Sequence, residues 1–284
     1  MHKPCVCFVA AAAGLAVAAP SARADFVYND FSSINGLTLA GVATKAVNVI
    51  QITPNVSASA GAAWYTAAKQ DLSLGFDTTF SIRIDDRHGA GADGFAFVLQ
   101  NSSEAPLGGP GGALGYADNL VFGQMGIPNS LAVEIDMWNN SPANWPDFSS
   151  SHISVQTRGL LTNSPSQTDS LGAVNIPDLS DGFSHTIRVL YSPGTLAVFL
   201  DGAGSPTLQV SVNLAAILSL DDHGGATAGQ GWVGITGATG APQDVQTQVL
   251  ESWRFAGTAI PAPATAALIA AAPALLARRR RAAQ

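Results

Sequence analysis

Ala132-Val133-Glu134-Ile135-Asp136-Met137-Trp138-Asn139-Asn140, followed after a loop by Asp147-Phe148-Ser149-Ser150-Ser151-His152-Ile153-Ser154-Val155, carries the densest chemistry of this 284-residue sequence. Val133 and Ile135 alternate with Glu134 and Asp136, the period of a β-strand, so both carboxylates point to one face. On an interior face two such charges cost several kcal/mol unless a cation pairs them. Asp147 and His152 follow the loop, the histidine opening another strand. Three carboxylates with one imidazole suit a transition ion of the Mn2+ type, while carboxylates, an Asn amide oxygen and a backbone carbonyl suit Ca2+. The plainer alternative makes Glu134 and Asp136 a solvated strand face and His152 a satisfied core histidine. The ordered run of ligand-type residues through one segment weighs against it.

Short strands of the same kind lie on either side. Phe80-Ser81-Ile82-Arg83-Ile84, Gly94-Phe95-Ala96-Phe97-Val98-Leu99, Thr186-Ile187-Arg188-Val189-Leu190-Tyr191 and Leu196-Ala197-Val198-Phe199-Leu200 are separated by turn chemistry such as Ser192-Pro193-Gly194 and Asp201-Gly202. An all-β antiparallel sandwich or jelly roll follows, with one helical turn expected around Asn213 to Leu220. No repeat of solenoid or propeller period is present. His185 reads as structural, and Asp85-Asp86-Arg87-His88 and Asp221-Asp222-His223 read as solvated loops.

The two ends have a different character. Lys3, the apolar run Cys5 to Ala19 and the finish Ala22-Arg23-Ala24 read as a secretory signal peptide over residues 1–24, cut before Asp25. Cys5 and Cys7, the two cysteines, fall inside it, so the exported domain is expected to carry neither a disulfide nor a reactive thiol. Residues 257–284 hold Pro261-Ala262-Pro263, an apolar stretch from Ala264 to Ala277 and Arg278 to Arg281. The stretch is shorter than the roughly 20 residues of a spanning helix. It resembles the PEP-CTERM sorting tail of Gram-negative bacteria, with Ala262 in place of the usual Glu. That resemblance implies transient membrane association, cleavage, and a secreted or cell-surface product; a retained anchor held by the arginines is the alternative. Without both ends, seven basic residues face 20 acidic ones, a net charge near −13. Such a domain is repelled by nucleic acid and suited to cations. The remaining residues 25–256 are of a size that one β-sandwich commonly reaches.

The opening stretch resembles the metal loop of legume (L-type) lectins, Glu-x-Asp-x-aromatic-x-Asn, a variable loop, then Asp-x-x-x-x-His. The resemblance implies a concanavalin-A-like antiparallel β-sandwich in which Glu134, Asp136, Asp147 and His152 hold a Mn2+-type ion. Asp136, Asp147, Asn140 and the Trp138 carbonyl would hold Ca2+. Gly89-Ala90-Gly91-Ala92-Asp93-Gly94-Phe95-Ala96-Phe97-Val98 is similar to the family segment whose Asp, after a cis peptide, accepts from two sugar hydroxyls. Gly108-Gly109-Pro110-Gly111-Gly112-Ala113-Leu114-Gly115-Tyr116 resembles the loop whose backbone N–H donates to the sugar. Trp232-Val233-Gly234-Ile235-Thr236-Gly237-Ala238-Thr239-Gly240 and Glu251-Ser252-Trp253-Arg254-Phe255 are similar to the closing strands. One departure is Gln248, where the family often has His.

The function implied is metal-dependent binding of a glycan or polysaccharide, with no catalysis. A sugar presents a polyhydroxyl edge and an apolar ring face. Asp93, the Gly111 or Gly112 amide, the Asn140 side chain and the Trp138 ring would meet them in turn. The reading is compatible with an oligomer. Two rivals keep the sandwich: a glycoside hydrolase, which needs two carboxyls about 5–5.5 Å apart across the scissile bond for retention, and a structural surface protein without a sugar site.

Overall fold

Phe76–His88 shows how this sequence becomes sheet. Phe76, Thr78, Phe80, Ile82 and Ile84 are buried, while Asp77, Thr79, Ser81 and Arg83 between them are only half-buried. One face therefore looks into the core and the other toward solvent. In a computed structural model, residues 25–140, 146–223, 226–240 and 242–257 are described. The proposed signal peptide, the C-terminal tail and residues 141–145 of the metal loop lie outside them.

Among the described residues the strands form two eight-stranded antiparallel sheets. Phe76–His88 pairs in one sheet with Ser184–Ser192 and with the closing strand Val245–Gly257, which also pairs with Phe26–Tyr28. The second sheet runs Ser170–Asn175, His152–Thr157, Ser130–Asp136, Gly94–Gln100, Ala226–Ala238, Ala60–Asp71 and Leu37–Gly41. Between the sheets lies one large apolar core that includes Phe76, Phe80, Phe97, Ile135, Trp253 and Phe255. The Trp253 indole N–H donates to Thr78 Oγ1 (3.0 Å), so the ring is buried without an orphaned donor.

The three strands that hold the candidate site depart from simple alternation. Gly94–Gln100 and Ser130–Asp136 are buried at every position. One face of each, with Phe95, Phe97, Leu131, Val133 and Ile135, meets the inter-sheet core. The opposite face is roofed by the Gly-rich loop and the segment running on to Ile127: Ala113, Leu114, Tyr116, Ala117 and Ile127 pack with Ala96, Val98 and Ala132 in a second apolar cluster. Glu134 and Asp136 share that roofed face with Ala132. They are buried as expected, but beneath a loop rather than between the sheets.

The helical turn expected near Asn213 is Leu214–Ile217. Two stretches read as loops are strands instead. Asp85 to His88 ends the Phe76–His88 strand, and Asp221–His223 pairs with Ala226–Ala238. Asp221 is held there by Lys69 and Asn101, contacts between segments far apart in sequence. His185 bridges Asp201 and Asp181 at 2.9 and 3.1 Å, a structural role as expected.

Candidate metal centre and binding cleft

The register of the roofed face sets the geometry. Directly opposite Asp136 sit Gly94 on one neighbouring strand and His152 on the other; opposite Glu134 sit Ala96 and Ser154. Paired side chains on one face approach closely, so His152 meets Asp136 as a consequence of strand pairing. Asp147 comes in from the loop. Ligand atoms of Asp136, Asp147 and His152 all lie within 4.8 Å of one another.

The loops are pinned onto these carboxylates by the backbone. Asp136 Oδ1 accepts the Trp138 N–H (2.7 Å), and Asp147 Oδ2 accepts the Asn140 N–H (2.5 Å). His152 Nδ1 lies 3.0 Å from the Ser149 carbonyl, which can only accept, so Nδ1 carries the proton. Nε2 then carries the lone pair, the tautomer a metal ligand needs, and the Gln167 side-chain amide lies 3.3 Å from it as a donor an ion would displace. Burial lowers the His152 pKa and keeps the ring neutral.

Glu134 is placed differently from its neighbours. Its Oε1 accepts from the Tyr116 hydroxyl, and its Oε2 from Ser154 Oγ and Gln156 Nε2, the last at 3.1 Å. Three of the four residues read as transition-metal ligands thus converge, while the Glu134 carboxylate is held by protein donors beside them.

Electrostatics point to a cation. Asp136 is pushed well above the usual carboxylate range by burial, then by Asp147, Glu134 and Asp93. Burial raises Glu134 to about 7 against its own hydrogen bonds. Asp93 rises to about 8 through burial, Asp147 and Asp244. Among the described residues no Lys or Arg pairs with Asp93, Glu134, Asp136 or Asp147. Four carboxyls gathered in one region, three of them buried, without a positive partner are costly unless a cation joins them. A donor set of carboxylates plus a neutral imidazole fits a divalent ion of the kind expected.

Next to this centre opens a cleft of about 650 Å³ whose lining includes Asp93, Gly111, Gly112, Trp138 and Asn140. All five residues singled out for sugar contact therefore face one space. The Ala92–Asp93 peptide is cis. The Asp93 N–H donates to the Ala238 carbonyl (2.9 Å) and its carbonyl accepts the Met137 N–H (2.7 Å), fixing this backbone between the end of the Ala226–Ala238 strand and the metal loop. Its side chain is 2 % exposed and Oδ2 has no hydrogen-bond donor.

Glycine lets two cleft side chains come close to the backbone. A Cβ on Gly112 would lie 2.4 Å from Asn140 Oδ1, and one on Gly240 would lie 2.8 Å from Asp93 Oδ2. Of the two amides considered for a ligand, that of Gly111 is already spent, donating to the Thr239 carbonyl at 3.0 Å. The Gly112 N–H has no acceptor among the described residues and is the one left. Trp138 also walls a smaller neighbouring cavity of about 220 Å³.

The sequence did not single out Asp118 to Phe122, Ser57, Ala58 or Asp244, which line the cleft as well. Leu120-Val121-Phe122 reads as an apolar run, and nothing in a run by itself says that it stays exposed. Neither Glu134 nor Asp136 lines the cleft.

Comparison with known proteins places the fold in a family. The family model for the legume lectin beta-barrel domain (L-type lectin domain) matches residues 28–252. A lectin of Bauhinia forficata is 26% identical over 241 residues, covering 82% of this chain and 95% of the relative. A mannose/glucose-specific lectin of Centrolobium tomentosum is 25% identical over 189 residues, 64% of this chain and 69% of the relative. Among solved structures, the Bauhinia forficata lectin in complex with GalNAc superposes with a TM-score of 0.66, covering 84% of this chain and 99% of that one. Lectin I-B4 of Griffonia simplicifolia in its metal-free form, 25% identical, also gives 0.66, over 83% and 99%. The chain belongs to the L-type, legume lectin domain family.

Proposed function

We propose that this protein is a carbohydrate-binding lectin, not an enzyme, whose sugar site is organised by bound cations. The observation that carries the reading is the cleft, in which Asp93 with an unpartnered Oδ2, the Gly112 amide, the Asn140 side chain and the Trp138 ring face one space. An acceptor-rich carboxylate, a fixed amide donor, an adaptable amide and an aromatic face are the complement of a sugar's hydroxyl edge and ring face. GalNAc in the Bauhinia relative is a ligand of that class. Hydrolysis is disfavoured because the strand acids are roofed off the cleft and the Glu134 oxygens are occupied.

Asp136, Asp147 and His152 would hold one ion, with Glu134 beside them, and Asn140 and the Trp138 carbonyl would join Asp136 and Asp147 around Ca2+. A divalent ion there would supply positive charge that offsets the clustered carboxylates and favours the ionised form of Asp93 by cancelling the repulsion from Asp147. Asp136 and Asp147, through the Trp138 and Asn140 amides, orient the two cleft side chains. The test is a glycan array read with and without chelator. Glycan binding that chelator abolishes is expected. Binding to no glycan would overturn the proposal, and release of reducing sugar would make the protein an enzyme.

Export and surface sorting are part of the same proposal and rest on residues 1–24 and 257–284. Intact-mass measurement on protein from its native host is expected to find a chain that starts at Asp25 and ends before Pro261. A retained C-terminus would decide for an anchor.

A further inference from the structure

The lone pair of His152 Nε2 has a neighbour that none of the acids supplies. The side-chain amide of Gln167 lies 3.3 Å from it and 3.5 Å from Ser154 Oγ. His152 and Ser154 stand opposite Asp136 and Glu134 on the roofed face, so Gln167 reaches into the metal cluster from outside the two strands that build it. Nothing in the run Ser164-Pro165-Ser166-Gln167 singles this residue out in the sequence.

The position of Gln167 is built. It opens the short turn Gln167–Asp169, in which the Ser166 side chain accepts the Thr168 N–H and the Ser166 carbonyl accepts the Asp169 N–H at 2.9 Å. The Gln167 N–H donates to the carbonyl of Pro146 (3.4 Å), the residue before Asp147. One residue therefore holds the metal loop with its backbone and faces the His152 ring with its side chain.

Three ligand atoms converge here, from Asp136, Asp147 and His152, while the Glu134 oxygens are taken by Tyr116, Ser154 and Gln156. A Mn2+-type ion favours an octahedral shell. With metal–ligand distances of about 2.1 Å, neighbouring corners of an octahedron lie about 3 Å apart. The 3.3 Å between His152 Nε2 and the Gln167 amide is close to that separation. An ion that takes the His152 lone pair displaces the amide N–H, and a half turn about the last side-chain bond brings Oε1 to the same place. Such sp³–sp² torsions are broad and roughly two-fold, so the turn costs little. An amide oxygen is a hard, neutral ligand, and it adds no charge to carboxylates already crowded together.

We propose that Gln167, through Oε1, is a protein ligand of the transition-metal ion alongside Asp136, Asp147 and His152. The inference rests on the metal-centre reading of those three residues.

The experiment is a Mn2+ titration of chelator-stripped protein reloaded with excess Ca2+. Free Mn2+ is followed by electron spin resonance. The bound ion is followed by its enhancement of water-proton relaxation, which rises with the number of waters on the ion. Gln167→Met keeps the length of the side chain and removes the amide. It is expected to weaken Mn2+ binding about tenfold and to raise the relaxation enhancement per bound ion, because a water takes the place of Oε1. Gln167→Glu keeps an oxygen at that point and is expected to bind Mn2+ at least as tightly as the wild type, with unchanged relaxation. An amide that merely steadies His152 would lose affinity in Gln167→Met with no gain in relaxation, and that result overturns the proposal. Unaltered Mn2+ affinity in Gln167→Met overturns it as well and leaves the three-residue centre standing. Failure of the wild type to bind Mn2+ overturns the metal centre itself and this inference with it.

Discussion

Asp93→Asn is expected to lower affinity for the best-bound glycan at least tenfold and toward a hundredfold, with metal content and melting temperature retained. A carboxylate that accepts from two sugar hydroxyls makes charge-assisted hydrogen bonds, each contributing roughly 1.5–3 kcal/mol. The amide replaces one acceptor oxygen by a donor and removes the charge behind both bonds. The fold has no reason to suffer. The residue is anchored through its backbone, to Ala238 and Met137, and neither bond involves the carboxylate. Loss of the charge also relieves repulsion from Asp147 and Asp244, which help push the Asp93 pKa up to about 8. Unaltered glycan affinity in the variant, measured beside the wild type at equal metal loading, would refute this position for the sugar site and leave the lectin fold standing.

The fold was legible because alternation and turn chemistry are local. Phe76 to Ile84 alternates as its burial does, and Asp136 and His152 announce themselves by residue type within one segment. The details that decide the site depend on contacts that a one-dimensional reading cannot bring together. Glu134 has the same spacing and chemistry as Asp136, yet its oxygens are taken by Tyr116 from the roofing loop and by Ser154 and Gln156 across the sheet. Gly111 and Gly112 are neighbours of one residue type, but Thr239, just past the Ala226–Ala238 strand, consumes the amide of the first. The Asp221 segment looked like a solvated loop because its partners, Lys69 and Asn101, lie more than a hundred residues away. Leu120 to Phe122 stays exposed at the cleft because its own turn hydrogen bonds hold it there. In each case the residue type was visible and its assignment depended on a partner from another element.

The metal-free and metal-loaded proteins are expected to respond to acid with opposite sign. A carboxyl whose folded pKa is raised contributes stability that is present below its unfolded value and lost as pH rises through the folded one. Asp93 at about 8, Glu134 at about 7, and Asp136 and Asp147, both also raised, place that window between about pH 4 and pH 8. The metal-free protein should therefore gain melting temperature as pH falls through it. His152 works the other way, since its lowered pKa costs stability as pH falls below 6.5, but it is one group against four. With excess Ca2+ and Mn2+ the same carboxylates stay ionised on the ions. An ion at a hundred times its Kd adds about 2.7 kcal/mol, roughly 5–10 °C for a domain of this size. Acid protonates the ligands and removes that gain, so the loaded protein should lose stability over the same window and the two melting curves should converge near pH 4. Asp136→Asn sharpens the test. It removes one of the crowded charges and one ligand, so at pH 8 the metal-free variant should melt above the metal-free wild type and gain almost nothing from added ions. Parallel pH profiles with and without metal, or a variant still stabilised by Ca2+ and Mn2+, would show that these carboxyls do not form a metal centre.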